Sequence, residues 1–459
     1  MEKVTAADAP QFKGSRLRNY LMFLIPSLIG IGLFMTPLRY QGDITIAIAV
    51  VAKSFKALLE GVMPVLLTLI VSLSALVTVS CQLFKPAKVM ASPFLKGLFY
   101  PNWLWTLVRV IGAVFAVLIY SGKGPAYLLD PNTGGLVFGD LLPTLFSVFI
   151  FAGLLLPLLL DFGLLEFVGT LMTKVMRPVF KLPGRSAVDC FASWLGDGSV
   201  GILLTGKQYE GGFYTQKEAA IIGTTFSAVS ITFSLVVLAQ VKLEGYFLPF
   251  YGAICLAGVV AAIVVPRLPP LSWKKDHFIG GSPRTGEEEA IPGHHGVMSF
   301  GLERALHRAD SIESLKKPLG DGIKNALDML LGVLPVVMAV GTIALLIAEH
   351  TPVFGWLGKP FVPYLELLGI PEAVAASKTV MVGFADMFIP SVLITGVDNE
   401  MTRFVVAAMS VTQLIYLSEV GALLLGSRIP VNFIELFVIF ILRTLVTLPV
   451  IAAVAHWVF

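Results

Sequence analysis

Two acidic residues stand inside apolar, glycine-containing stretches at matching places in the chain: Asp197 in Trp194-Leu195-Gly196-Asp197-Gly198-Ser199, and Asp386 in Gly383-Phe384-Ala385-Asp386-Met387. Just downstream of the first, Ile202-Leu203-Leu204-Thr205-Gly206 recurs as Val392-Leu393-Ile394-Thr395-Gly396 after the second. The copies lie roughly 190 residues apart, far beyond the period of a solenoid, so a whole half-protein is duplicated. A carboxylate in an apolar segment is costly unless paired or hydrated, and it marks a functional site by default. Ser199 and Ser391 add hydroxyl oxygens at the same two places, and the apolar runs that follow add Thr224, Ser227, Gln413 and Glu419. The residues expected to bind a solute are Asp197, Ser199, Thr224, Ser227, Asp386, Ser391 and Gln413. Asp197, Asp386 and Glu419 are expected to take a coupling ion, H+ or Na+. The plainer reading is that each Asp or Ser caps a short helix and that the buried hydroxyls bond their own backbone, and one residue can do both. Arg109, within another apolar run, needs a counter-charge or must reach the surface with its head group.

The elements that hold these groups follow from composition. Of 459 residues, 56% are hydrophobic and only 14% charged, and a soluble domain usually carries about 25% charged residues. The chain is therefore expected to be an all-α integral membrane protein in contact with a lipid bilayer. The apolar runs, about 20 residues each, suit helices rather than barrel strands. Tyr20 to Leu38, Val62 to Ser80, Trp103 to Tyr120, Pro143 to Gly163, Glu218 to Gln240, Tyr246 to Val265, Ile323 to Ala348, Thr402 to Leu425 and Pro430 to Trp457 make about nine spans. The first reads as a retained span, not a cleaved signal, because no small-residue cleavage site follows it.

Ser186 to Gly206 and Pro371 to Gly396 could span only as single helices, yet Gly196 and Gly198 break the first, and Gly383 and Pro390 bracket the weak point of the second. Each reads as a re-entrant hairpin. Unwound backbone at that depth survives only where protein buries it or water reaches it, so the tips are expected to face a pathway. Helix ends at such tips offer unpaired N–H groups to anionic atoms and carbonyls to cations.

Orientation comes from Lys and Arg near the membrane ends. The tail before Tyr20 carries Lys3, Lys13, Arg16 and Arg18, the next short loop Lys85, Lys88 and Lys96, and the segment after the fourth span Lys174, Arg177, Lys181 and Arg185. All are placed in the cytoplasm, with the N-terminus. The matching stretch of the second half, His350 to Glu372, has Lys359 as its lone Lys or Arg and is placed outside. The halves thus read as an inverted-topology repeat. The expected organisation is residues 1–142 as a tail with three spans, 143–265 as the first repeat, 266–321 as a cytoplasmic linker and 322–459 as the second, inverted repeat. In the linker, Ser299 to Lys317 has some helical spacing through Leu302, Leu306 and Leu315, and His294-His295 lacks a ligand partner at metal spacing.

Several functions are excluded or weakened. The net charge of +3 is small and its basic residues flank spans, so no nucleic-acid role is assigned. Cys81, Cys190 and Cys255 form no pair at metal spacing. Gly201 to Gln208 matches a phosphate loop only as far as Lys207, with Gln where Ser or Thr must hold magnesium. With no GxSxG or HExxH set either, the chain is not expected to be an enzyme or to hold a cofactor or metal.

These hairpins, with the amphipathic pieces Phe167 to Phe180 and Phe354 to Leu368 before them, resemble the bacterial Gate, or nucleoside-recognition, membrane proteins, and most closely the YjiH family. The resemblance covers Pro143 to the C-terminus. It is similar more distantly to concentrative nucleoside transporters, which repeat a span, an interfacial helix, a re-entrant hairpin and two spans with inverted topology, and to the Gate portion of ferrous-iron transporters. The Gln and Glu signature with which nucleoside carriers hold base and ribose is not recognisable around Asp197 or Asp386. The resemblance implies an ion-coupled secondary transporter of a small polar solute, nucleoside-like in one form, in the bacterial inner membrane, alone or as a homo-oligomer. A non-transporting assembly or signalling platform on the same fold, and a divalent metal permease, are the alternatives.

Overall fold

A computed structural model of the chain describes residues 15–40, 43–195, 198–226, 231–285 and 296–459. Helix α1 (Arg16–Phe34) leads into a small antiparallel hairpin, β1 (Pro37–Tyr40) and β2 (Asp43–Ile46), then α2 (Ala47–Leu58), α3 (Met63–Phe84) and α4 (Trp103–Tyr120). The first half follows as α5 (Ala126–Leu160), α6 (Leu164–Phe180), the helical hairpin α7 (Ser186–Leu195) and α8 (Gly198–Glu210), the pair α9 (Gln216–Thr225) and α10 (Ile231–Gln240), and α11 (Glu244–Arg267). Linker helix α12 (Val297–Asp310) separates it from the second half. There the order repeats: α13 (Lys316–His350), short helices α14 (Val353–Gly358) and α15 (Val362–Leu367), the hairpin arms α16 (Ala373–Val380) and α17 (Ile389–Ile394), the pair α18 (Glu400–Gln413) and α19 (Val420–Gly426), and α20 (Phe433–Val458).

The protein is an all-α membrane protein apart from the β1–β2 ribbon. Among the described residues, α1, α3, α4, α5, α11, α13 and α20 are long and apolar enough to cross a bilayer. Leu24, Leu28, Leu69, Leu76, Leu104 and Leu107 stand exposed on the first three of these, as lipid-facing side chains must. The other two expected spans are not continuous helices. Glu218 to Gln240 is interrupted after Thr225, and Thr402 to Leu425 after Gln413. The second interruption is a tertiary effect: Leu414 takes a left-handed φ of 62°, and the backbone N–H groups of Leu417 and Ser418 donate to Phe384 O and Ala385 O of the hairpin at 2.8 and 2.9 Å. Backbone groups released from a helix at membrane depth need such partners.

A further likeness between the halves lies in their first spans. A π-helical turn at Val137–Leu141 precedes Leu142-Pro143, and another at Met329–Val333 precedes Leu334-Pro335. Proline lacks the N–H that would bond the carbonyl four residues back, and its ring crowds that carbonyl, so a wider turn absorbs the conflict. In the second half the released carbonyl, Leu331 O, accepts from Ser74 Oγ on α3. The two spans pack on each other where Gly153 lies so close to Ala326 that an added Cβ would collide with its backbone, the close approach that small residues permit between membrane helices.

The halves also exchange contacts. The returning arm of each hairpin packs on the second half-helix of the opposite half, α8 on α19 and α17 on α10. Gln240 Nε2 at the end of α10 reaches Thr395 Oγ1, whose hydroxyl lies 3.2 Å from Gln240 O. The linker helix is docked on the rest of the chain. Ala305, Leu306 and Ala309 of α12 are buried with Phe23 of α1 and pack on Phe167 of α6, while Leu315 lies beyond the helix and is exposed. Asn19 Nδ2 donates to Asp310 Oδ1 at 2.9 Å, Arg18 Nη2 to Ile312 O at 2.7 Å, and Arg308 Nη2 to Asp161 Oδ1 at 2.8 Å. The start of α1 and the linker therefore share one face of the molecule.

Candidate functional site

In the first hairpin polar side chains tie the base of one arm to the far end of the other. Asp189, in the opening turn of α7, is 1% exposed. It accepts from Thr205 Oγ1 at 2.7 Å, from Tyr214 OH at 3.1 Å and from Gln208 Nε2 at 3.5 Å. Thr205 of the repeated Thr-Gly pair thus has a structural task, closing α8 onto α7. Its counterpart Thr395 closes on Ser391 O, 2.7 Å away, and on α10. Asp189 was absent from the expected site although it carries the same signal as Asp197, an acid in an apolar arm.

At the second hairpin, Asp386 does two things. Its Oδ1 accepts from the backbone N–H of Phe388 and Ile389 at 2.7 and 3.2 Å, capping α17, and its Oδ2 accepts from Ser418 Oγ at 2.7 Å. The cap and the functional reading are therefore one geometry: the carboxylate fixes the tip and reaches the break between α18 and α19. Glu419 begins α19 in the same break, half-buried, and accepts from Tyr416 OH at 3.2 Å. Arg428, two turns on in sequence, pairs instead with Glu210. Gln413, at the end of α18, is fully buried. Its Nε2 donates to Val380 O and Thr444 Oγ1, both at 3.0 Å, so it ties the first arm of the hairpin to α20. Its Oε1 lies against Gly383, where a Cβ would strike it.

The other expected residues are less convergent. Ser391 is buried and donates to Phe388 O at 2.6 Å within its own helix, and Thr224 likewise donates to Ala220 O at 2.6 Å. Both hydroxyls are engaged by their own backbones, as Ser and Thr in membrane helices usually are. Ser199 is buried in the first turn of α8. Asp197 and Ser227 lie outside the described residues. The structure thus brings Asp386, Ser418, Tyr416, Glu419 and Gln413 together around the second tip.

The residue that joins the two halves is Arg443 of α20, only 2% exposed. Its Nε and Nη2 donate to Thr412 O at 3.2 and 2.8 Å, and its Nη1 to Thr225 O at 2.9 Å and Thr224 O at 3.4 Å. These carbonyls close the last turns of α18 and α9, the half-helices that end at the two breaks. The C-terminal end of a helix carries partial negative charge, so two such ends meeting at one guanidinium form a compensated buried cation. Among the described residues no carboxylate is within ion-pair distance of it. The sequence carried the signal, one arginine in the middle of the apolar run Pro430 to Trp457, but its acceptors are main-chain atoms released by breaks that the sequence does not mark.

This architecture, two halves each holding a first span with a π-helical turn, a helical hairpin and a broken helix, is that of a multi-pass membrane protein, and residues 142–244 match the Gate family, described as nucleoside recognition. The chain belongs to the same family as the uncharacterized protein BpOF4_10220 of Alkalihalophilus pseudofirmus, to which it is 48% identical over 438 residues, 95% of this chain and 94% of that protein. Among solved structures it is similar to a doubly substituted CNTnw in an outward-facing state, at 13% identity and a TM-score of 0.43, over 96% of this chain and 98% of that one.

Proposed function

We propose that this protein is a secondary transporter that carries a small polar solute across the bacterial inner membrane, with the N-terminus in the cytoplasm and the halves in opposite orientation. The observation that carries this reading is the pairing of a broken helix with each hairpin, closed at the second tip by Asp386 and Ser418 and across the halves by Arg443. Discontinuous helices in corresponding places of two repeats are where transporters build their sites, because helix ends and unwound backbone offer charges and hydrogen bonds that an intact helix keeps to itself. Asp386 and Glu419 supply carboxylates there, and Asp197 holds the matching place in the sequence of the first half. Coupling is to H+ or Na+ through these acids. The match to a nucleoside-recognition domain favours a nucleoside or base as the first solute to try.

The test is uptake into proteoliposomes of labelled nucleosides, bases and divalent cations under an imposed proton or sodium gradient. Gradient-driven accumulation of a nucleoside or base, abolished in Asp386→Asn, is the expected result. Accumulation of divalent cations alone makes the protein a metal permease. No accumulation of any of them, with Asp386→Asn folding and behaving as wild type, leaves the fold as an assembly platform and ends the transport reading.

A further inference from the structure

Arg109 of α4 is 6% exposed and has no carboxylate within ion-pair distance among the described residues. Its Nη1 donates to Thr78 Oγ1 at 2.9 Å and to Leu98 O at 2.7 Å, both neutral acceptors, and its Nε is buried without an acceptor. The guanidinium lines a cavity of about 170 Å³ between α4, α8, α13 and the end of α19, together with Lys207, Glu210, Asp328 and Arg428. That volume is far above the roughly 10–15 Å³ that one water needs.

The charges around the cavity do not balance. Lys207 Nζ pairs with Asp328 Oδ2 at 2.7 Å and with Glu210 Oε2 at 3.0 Å, and Arg428 Nε faces Glu210 Oε1 at 3.5 Å. Lys207 and Arg428 contact both carboxylates and Asp328 also acts on Arg109, so three cations of the lining stand against two carboxylates. A buried charge in a membrane protein calls for a partner, and a guanidinium beside a cavity suits the paired oxygens of a carboxylate or phosphate. We propose that this cavity is a binding site for a small soluble oxyanion, a carboxylate or phosphate group held by Arg109, with Arg428 at its mouth. It joins the returning arm of the first hairpin to the second half, so an anion seated in it holds α4, α8, α13 and α19 together. The site is separate from the hairpin tips and does not depend on transport at them.

The experiment is thermal unfolding of the purified full-length protein in a neutral detergent, titrated with potassium phosphate or potassium acetate against potassium chloride at equal ionic strength. Wild type is expected to gain a saturable rise in melting temperature with phosphate or acetate, and Arg109→Gln to need an about tenfold higher concentration for the same rise. If Arg109→Gln does not fold, Arg428→Gln, at a half-exposed position, decides: measured from its own melting temperature in chloride, its rise with phosphate or acetate is expected to need a several-fold higher concentration. A wild-type response no greater than in chloride overturns the site, as does an unchanged response in Arg428→Gln or in a folded Arg109→Gln. Stabilisation by added phosphatidylglycerol in chloride alone, with none from phosphate or acetate, overturns it too, because the occupant is then a lipid headgroup and not a soluble anion.

Discussion

Arg443 and Gln413 each join elements by donating to main-chain carbonyls. Truncating Arg443 to Met leaves Thr412 O and Thr225 O without their donors in a buried place, and each such orphan costs about 1–3 kcal/mol. The variant is expected to melt well below wild type in a detergent thermal scan. Arg443→Lys should fall between them, since an ammonium cannot span two helix ends as a planar fork does; a lysine variant no better than methionine would contradict the bridging geometry. Gly383 offers a second case. A methyl group there meets Gln413 Oε1, so Gly383→Ala should cost about 1–3 kcal/mol as an overpacked site. The double variant Gly383→Ala with Gln413→Ala relieves the clash, and melting of the four proteins in a double-mutant cycle should reveal strong non-additivity.

At the scale of elements, the continuous spans and the hairpins were legible in the sequence because both depend on local signals: apolar run length for the first, glycine and proline in mid-run for the second. The breaks after Thr225 and Gln413 were not. Leu414-Ile415-Tyr416-Leu417 is as apolar as the helix before it, and the chain leaves the helix there because Phe384 O and Ala385 O offer partners from a segment about thirty residues earlier in the chain, a non-local cause that periodicity cannot contain. The same holds for Asp386, whose cap was foreseeable from its place before a short helix, while its bond to Ser418 was not. The linker helix was half legible. Leu302 and Leu306 gave its apolar side, and its polar ties to α1 and α5 come from Asp310 and Arg308, residues that read as solvated charge. Removing one of those ties should loosen it: Arg308→Ala is expected to speed proteolytic cleavage near residues 296–310 severalfold without shifting the melting of the membrane core. Equal cleavage rates in variant and wild type would mean that apolar packing on Phe23 and Phe167 alone holds α12.

At the scale of the whole molecule, the duplication first visible as a repeated Thr-Gly segment extends to the first spans with their π-helical turns and Leu-Pro pairs, to both hairpins, and to both broken helices. The halves are not independent. Each hairpin rests on the far half-helix of the other half, and one arginine holds both helix breaks. The account requires that these halves lie in opposite orientations around a shared site. The most direct measurement is membrane-side labelling of single cysteines placed at Lys181 and Lys359, both exposed, in a protein whose Cys81, Cys190 and Cys255 have been replaced. Lys181→Cys should react with an impermeant maleimide from the cytoplasmic side alone and Lys359→Cys from the outside alone; labelling of both from the same side would contradict it.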